Sequence, residues 1–144
     1  MYKTDIAPET IAQVLEDLSQ HELAQFIFTG STMSPFFKDQ KTVVTLIKPN
    51  RAYHKYDVVL FQTNGRYRLH RIQQIKHVFA VISGDRSRVS EVIRTEEIIG
   101  LVESFETKGK KTSSDSKGYL FNVRLLSFIK PIRRFLFKFT LRKN

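Results

Sequence analysis

Two runs of strand-forming residues flank Asn64-Gly65, and this arrangement constrains the fold more than any other feature of the sequence. Asn-Gly is the preferred pair for a two-residue hairpin turn, because both central residues of such a turn need a positive φ. The turn also fixes the register of the strands that it joins, so that Val59 faces His70. The sequence therefore predicts an antiparallel hairpin that holds His70 on a paired strand.

Further β-branched and apolar runs are separated by short groups of turn residues, which is typical of successive strands. These runs, including the first arm of the hairpin, cover residues 26–28, 42–47, 58–62, 78–83 and 98–105. A helix is predicted at 8–19, where apolar residues recur at i, i+3, i+4 and i+7 from Ile11. Together these patterns predict a mainly β fold with an N-terminal helix.

Length and composition limit the organisation of the chain. Its 144 residues suffice for one domain with one core. We expect a β domain with its helix over residues 1–107, a flexible polar loop over 108–118 and a basic amphipathic helical tail over 119–144. The chain has no cysteine, which excludes disulfides, thiolate nucleophiles and cysteine-based zinc sites.

The sequence shows neither a signal peptide nor a spanning segment. Acidic residues interrupt the N-terminal stretch, and no uncharged run approaches the ~18 residues that a spanning helix needs. We expect a cytoplasmic protein that contacts the membrane, if at all, peripherally. No metal or other cofactor is expected.

The tail contains most of the excess charge. Seven of the ten net positive charges lie within residues 119–144, which have no acidic residue. Basic and aromatic residues on opposite faces fit a helix at an anionic membrane surface. The alternative is a helix that docks its apolar face on the β core and leaves its charges in solvent. Nucleic acid is not favoured as a partner, because no base-reading motif accompanies the charge.

Three hydroxyl side chains lie close together where the first strand is predicted to end. Ser31, Thr32 and Ser34 follow Gly30 and precede Pro35, so the backbone must turn around them. The backbone N–H groups of such a turn can receive an oxyanion, which makes the segment a candidate nucleophile site. The alternative is a solvated turn.

Two residues further along the chain can complete this chemistry. His70 is a suitable general base, because its reference pKa of ~6.5 leaves much of it neutral at pH 7. Asp85 follows Gly84 at a predicted strand end, from which its carboxylate can reach back toward the hairpin and orient the imidazole. The alternatives are a packing histidine and a turn aspartate.

Five short segments, in order, resemble the conserved boxes of the serine peptidase superfamily that contains type I signal peptidases and LexA-type self-cleaving repressors. Residues 30–35 are similar to its Gly-x-Ser-Met-x-Pro box, and residues 56–61 to its Gly-Asp-Val-Val stretch. Residues 69–72 resemble the block that carries the general base, which is lysine in some members and histidine in others. Residues 84–85 and 98–102 are similar to its Gly-Asp box and its Ile-Ile-Gly-x-Val strand.

The resemblance implies a fold and a set of roles. The fold is a coiled, mostly antiparallel β structure to which the substrate adds as an extended strand. Thr32 takes the nucleophile position, His70 is the general base and Asp85 orients it. The residues around Thr32 would contribute to the oxyanion site and to substrate binding: Gly30, Ser31, Met33 and Pro35.

Two positions depart from the family pattern. Thr32 replaces the serine nucleophile, and its extra methyl group stiffens χ1 and crowds the path of attack. Tyr56 replaces the glycine of the Gly-Asp-Val-Val stretch.

We therefore expect a signal-peptidase-like endopeptidase that cleaves an extended peptide segment of a protein or peptide substrate. The alternative is a catalytically inactive relative that acts as a peptide-binding or membrane-surface module.

Overall fold

The hairpin around Asn64-Gly65 forms with the register that the sequence predicts. In this computed structural model, which describes residues 6–87 and 89–128, Val59 pairs with His70. Asn64 and Gly65 have φ angles of 52° and 73°, as the favoured two-residue turn requires.

The described chain consists mainly of antiparallel strands. The strands are β1 (Leu23–Ile27), β2 (Thr42–Ile47), β3 (Val58–Thr63), β4 (Arg66–Lys76), β5 (Phe79–Ser83), β6 (Glu91–Arg94), β7 (Ile98–Thr107) and β8 (Lys110–Ser113). The helices are α1 (Pro8–His21), α2 (residues 117–128) and a short 3-10 turn, Thr95–Glu97.

The strands form one sheet in the order β1-β2-β7-β3-β4-β5-β6. Strand β7 pairs with β2 along one edge, and along the other edge it pairs first with β3 and then with β8. This order makes β5 the neighbour of β4 on the side away from β3. The segment that follows β5 is thereby brought next to the strand that carries His70.

Each face of the sheet is covered by its own apolar cluster. Leu60 and Leu69 belong to the first cluster, which also takes side chains from α1 and α2. Val59, Phe61 and Ile72 belong to the second cluster, on the opposite face. Neighbouring residues of a strand point to opposite faces, so β3 and β4 contribute to both clusters. This explains why β3 has few polar residues.

The mainly β fold with an N-terminal helix is confirmed, and a helix is also present toward the C-terminus. Helix α2 begins at residue 117, two residues earlier than expected, and residues 129–144 of the expected tail lie outside the described residues. Within the described chain, neither helix has the length and apolar character needed to cross a bilayer.

The prediction of a flexible loop over residues 108–118 is wrong for its first half. Lys108 and Gly109, with φ angles of 52° and 81°, make a two-residue turn, and β8 then pairs with the end of β7. The strand is polar because three of its four residues are exposed, so it lacks the apolar alternation by which strands are recognised.

Candidate active site

The turn after β1 is held from inside by Met33, which is fully buried. The carbonyl oxygen of Met33 accepts hydrogen bonds from the N–H groups of Phe36 (3.0 Å) and Phe37 (2.9 Å). Gly30 has a φ of 101°, which favours glycine, and its N–H donates to Oδ1 of Asp39 at 2.8 Å. The turn is therefore fixed by the buried Met33 side chain and by the hydrogen bond between Gly30 and Asp39.

The side chains of this turn differ in their access to solvent. Ser31 and Pro35 are exposed, Thr32 is half-buried, and Gly30 is buried. Among the hydrogen bonds of the described residues, none uses the N–H of Met33, the residue directly after Thr32. This N–H is a donor that remains available beside the Thr32 hydroxyl.

His70 lies in the middle of the sheet and is only 5% exposed. It pairs with Val59 on β3, and its ring centroid lies 5.7 Å from that of Phe61. These contacts put the imidazole on the face that carries the second apolar cluster. The hairpin register, which the sequence predicts, decides this orientation.

Gly84 brings Thr32 to the same face. A Cβ built on Gly84 would lie 2.7 Å from the carbonyl oxygen of Thr32 and 3.0 Å from its Cβ. The same carbonyl accepts a hydrogen bond from the N–H of Arg86 at 2.8 Å. Only a residue without a side chain permits this approach, so Thr32 packs directly against the backbone of Gly84.

The register of β4 and β5 relates the position of Gly84 to that of His70. The last pair of the ladder is Arg71 with Ser83, and one further step along both strands brings His70 opposite Gly84. Opposite residues of an antiparallel pair point to one face, with Cβ atoms about 5 Å apart. Thr32 occupies the space where a Gly84 side chain would be, next to His70 in the register.

Asp85 has a different partner from the one expected. Its Oδ1 accepts a hydrogen bond from Nε of Arg71 at 2.7 Å, and its Oδ2 accepts one from Nη2 at 2.8 Å. The carboxylate reaches the strand that carries His70, as expected, but it binds the neighbouring residue. Arg71 and His70 point to opposite faces of β4, and Asp85 lies on the face of Arg71.

The ion pair between Arg71 and Asp85 is buried, with side chains that are 0% and 3% exposed. Arg71 also donates from Nη1 to the carbonyl oxygen of Tyr56 at 2.9 Å. Its Cζ lies 5.3 Å from the ring centroid of Phe36 and 5.4 Å from that of Tyr119. One guanidinium thus joins the turn after β1, the loop before β3, the end of β5 and helix α2.

The electrostatics of this pair favour its charged form. Burial alone lowers the pKa of the Arg71 guanidinium, but the charge and hydrogen bonds of Asp85 outweigh it and raise the pKa above its ordinary value. Burial raises the pKa of the Tyr119 hydroxyl, and the nearby Arg71 charge opposes that effect. Arg71 is therefore a permanent cation that needs the Asp85 carboxylate.

Tyr56 adopts a φ of 79°, a conformation that favours glycine. Its N–H donates to the carbonyl oxygen of Ile72 at 2.8 Å, and its own carbonyl is the acceptor for Arg71. The loop before β3 therefore needs a left-handed residue at this position. The Gly-Asp-Val-Val stretch that residues 56–61 resemble has a glycine at this position.

Arg71 is the site residue that sequence reasoning missed, although the sequence contains a signal for it. In the predicted hairpin register, Arg71 faces Val58, and Leu69 faces Leu60, on one apolar side. A cation at such a position requires a buried acidic partner. In the structure, Asp85 is the carboxylate that supplies it.

Compared with models of known protein families and with the sequences of curated proteins, the chain matches none.

Removing the charge of Asp85 should destabilise the fold strongly, because Arg71 would then be a buried cation without a counterion. We expect Asp85→Asn to lower the free energy of unfolding by about 3–5 kcal/mol, measured by urea denaturation. The double variant Arg71→Met, Asp85→Leu should lose less than Asp85→Asn alone. The exposed pair of Arg94 with Glu96, whose side chains are 59% and 76% exposed, provides the control, and Glu96→Gln should cost about 1 kcal/mol or less. Equal losses for Asp85→Asn and Glu96→Gln would contradict the role given to the buried pair.

Adding a methyl group at Gly84 should displace Thr32. We expect Gly84→Ala to cost about 1–3 kcal/mol in unfolding free energy, because the new Cβ overlaps backbone atoms that cannot move independently. Gly100→Ala on β7 is the matched control, since its Cβ would meet only side-chain tips of Leu18 and Leu46, starting at 3.4 Å. Thermal unfolding of the two variants makes the comparison, and a Gly84→Ala variant as stable as Gly100→Ala would contradict the close approach.

Proposed function

We propose that this chain is a peptidase related to signal peptidases and LexA-type repressors, with a coiled β fold of that kind. The observation that carries the proposal is the contact between Thr32 and Gly84, because Gly84 lies opposite His70 when the β4–β5 ladder is continued. The resemblance of five segments in order adds to it. In this proposal, the Thr32 hydroxyl and the His70 imidazole, from distant parts of the chain, act together at this point of the sheet.

In the proposed reaction, Thr32 Oγ attacks the scissile carbonyl and its proton passes to His70. The imidazolium then gives this proton to the departing amine, so that the peptide C–N bond breaks and an ester to Thr32 forms. Water hydrolyses the ester, with His70 accepting a proton from the water and returning it to the Thr32 oxygen. The half-buried position of Thr32 leaves it accessible to a substrate.

The backbone around Thr32 supplies the oxyanion site in this proposal. The Met33 N–H follows the nucleophile directly and is not engaged by the hydrogen bonds of the described turn. Donors fixed by the fold stabilise a developing negative charge without reorganising. The buried Met33 side chain and the hydrogen bond from the Gly30 N–H to Asp39 Oδ1 keep this donor in place.

The proposed centre is a pair of Thr32 and His70, and Asp85 has a supporting role. Through its ion pair with Arg71, Asp85 fixes the segment that contains Gly84 and Arg86. In this segment, the N–H of Arg86 donates a hydrogen bond to the carbonyl oxygen of Thr32. Asp85 thus positions the nucleophile and has no direct part in proton transfer.

Substitutions at the pair test the proposal. Wild-type protein incubated with a complex peptide mixture should create new peptide termini, detected by mass spectrometry. Thr32→Ser should retain or increase this cleavage, because the smaller side chain relieves crowding, while Thr32→Ala and His70→Ala should abolish it. His54→Ala is the control, because His54 is an exposed histidine away from the pair, and it should cleave normally.

Two results would contradict the peptidase. Cleavage by Thr32→Ala at the wild-type rate would remove the nucleophile from its role. Peptide binding without any cleavage, by wild type and by Thr32→Ser alike, would favour the alternative of an inactive peptide-binding module.

A second function, contact with an anionic membrane surface, is supported by the outer face of α2. Phe121, Leu125 and Phe128 are 65%, 50% and 76% exposed, and their spacing puts them on one side of the helix. Lys117 and Arg124 are exposed on the same helix. Exposed aromatic residues beside basic residues are typical of helices that lie in a membrane interface.

Vesicle flotation tests the membrane contact. The full chain should float with phosphatidylserine-containing vesicles, and Phe121→Ser with Phe128→Ser should weaken binding roughly tenfold or more, because apolar area no longer enters the interface. Phe79→Ser removes an exposed ring from β5 and should leave binding unchanged. Equal binding by all three proteins would contradict a contact through α2.

A further inference from the structure

A groove of ≈ 450 Å³ opens beside His70. One wall comes from β4, and the other comes from Ser87, Val89 and Glu91. Its lining includes Arg66, Arg68, His70, Ser87, Val89 and Glu91. The groove is polar, and it begins at the proposed general base.

The side chains on the β4 wall are spaced like the same-side side chains of an extended peptide. Arg66, Arg68 and His70 are alternate residues of one strand, so their side chains point to the same face. Alternate residues of a strand lie about 7 Å apart, which is also the spacing of same-side residues in an extended peptide. A peptide that runs along this wall with its scissile bond at His70 presents a side chain to Arg68.

Arg68 has a charge that the described part of the chain does not neutralise. Arg51, Arg71 and Arg94 each form an ion pair there, with Asp57, Asp85 and Glu96 respectively. Arg68 is half-buried, yet no carboxylate of the described residues lies within ion-pair distance of it. A partly desolvated guanidinium gains most from a bidentate carboxylate partner.

Glu91 on the opposite wall does not supply that partner. It lines the same groove, and it forms no ion pair among the described residues. The positive charge of Arg68 is therefore not balanced by the carboxylate that lines the same groove. The Arg68 guanidinium is complementary to an acidic side chain that arrives with the substrate.

We propose that the groove is a specificity site for peptides with an aspartate or glutamate within about two residues of the scissile bond, and that Arg68 binds its carboxylate. This inference rests on the proposed function for the position of the cleaved bond. The binding of the acidic side chain is a separate property, and it can be measured without cleavage.

Peptide selection by the full chain tests the site. Thr32→Ala protein, which does not turn over bound peptide in the proposal, is immobilised and exposed to a randomised peptide library. Bound peptides should be enriched about tenfold in Asp and Glu over Asn and Gln. Arg68→Gln, in the same background, should lose this enrichment, and Arg68→Glu should replace it with enrichment in Lys and Arg. Lys76→Gln removes one positive charge from the other end of β4 and should keep the enrichment.

The outcomes separate this site from the peptidase. Absence of acidic enrichment, absence of binding, or enrichment that survives both Arg68 variants overturns the specificity site. Cleavage of the same library by wild type, at bonds without a nearby acidic residue, also overturns it while leaving the peptidase intact. Acid-selective binding that depends on Arg68, without cleavage by wild type, keeps the site and removes the peptidase.

Discussion

The buried ion pair between Arg71 and Asp85 is the interaction on which the arrangement of the site depends. Its guanidinium is in contact with four separate segments, and its charge is satisfied by one carboxylate and one backbone carbonyl. A buried pair of this kind contributes little net stability compared with apolar packing, but each partner is costly to remove alone. Its main effect is to fix the position of the chain directly after β5, because Asp85 there is bound to Arg71 on β4.

That exit point determines what surrounds His70. Gly84, which precedes Asp85, lies opposite His70 when the ladder is continued, and its missing side chain leaves room for Thr32. The turn that carries Thr32 is fixed separately, through the buried Met33 and the bond from Gly30 to Asp39. Two independently fixed segments therefore meet on one face of the sheet, while the ion pair that supports them lies on the other face.

The sequence predicts the hairpin register and most of the strands, because β-branched runs and Asn64-Gly65 are local signals. It places the first strand at 26–28, where β1 is Leu23–Ile27, and it misses β6, Glu91–Arg94. Strand β8 could not be recognised, since its pairing with β7 depends on backbone hydrogen bonds and not on an apolar pattern. The partner of Asp85 was assigned to the wrong neighbour, His70 in place of Arg71. His70 and Arg71 point to opposite faces of β4, so the choice between them depends on the face that Asp85 occupies. The sequence alone does not specify that face. The meeting of Thr32 with Gly84 is a long-range contact for which the sequence has no local signal.

The central claim is that the side chain at position 32 lies beside His70, and a thiol at that position reports on it directly. The chain has no cysteine, so Thr32→Cys introduces one thiol, whose pKa can be measured from the pH dependence of its alkylation rate. A neighbouring imidazolium lowers the pKa of a thiol below its reference value of ~8.5. The account predicts a lowered pKa for the introduced thiol, and a return to the ordinary value when His70→Ala is added. The same pKa with and without the imidazole would contradict it.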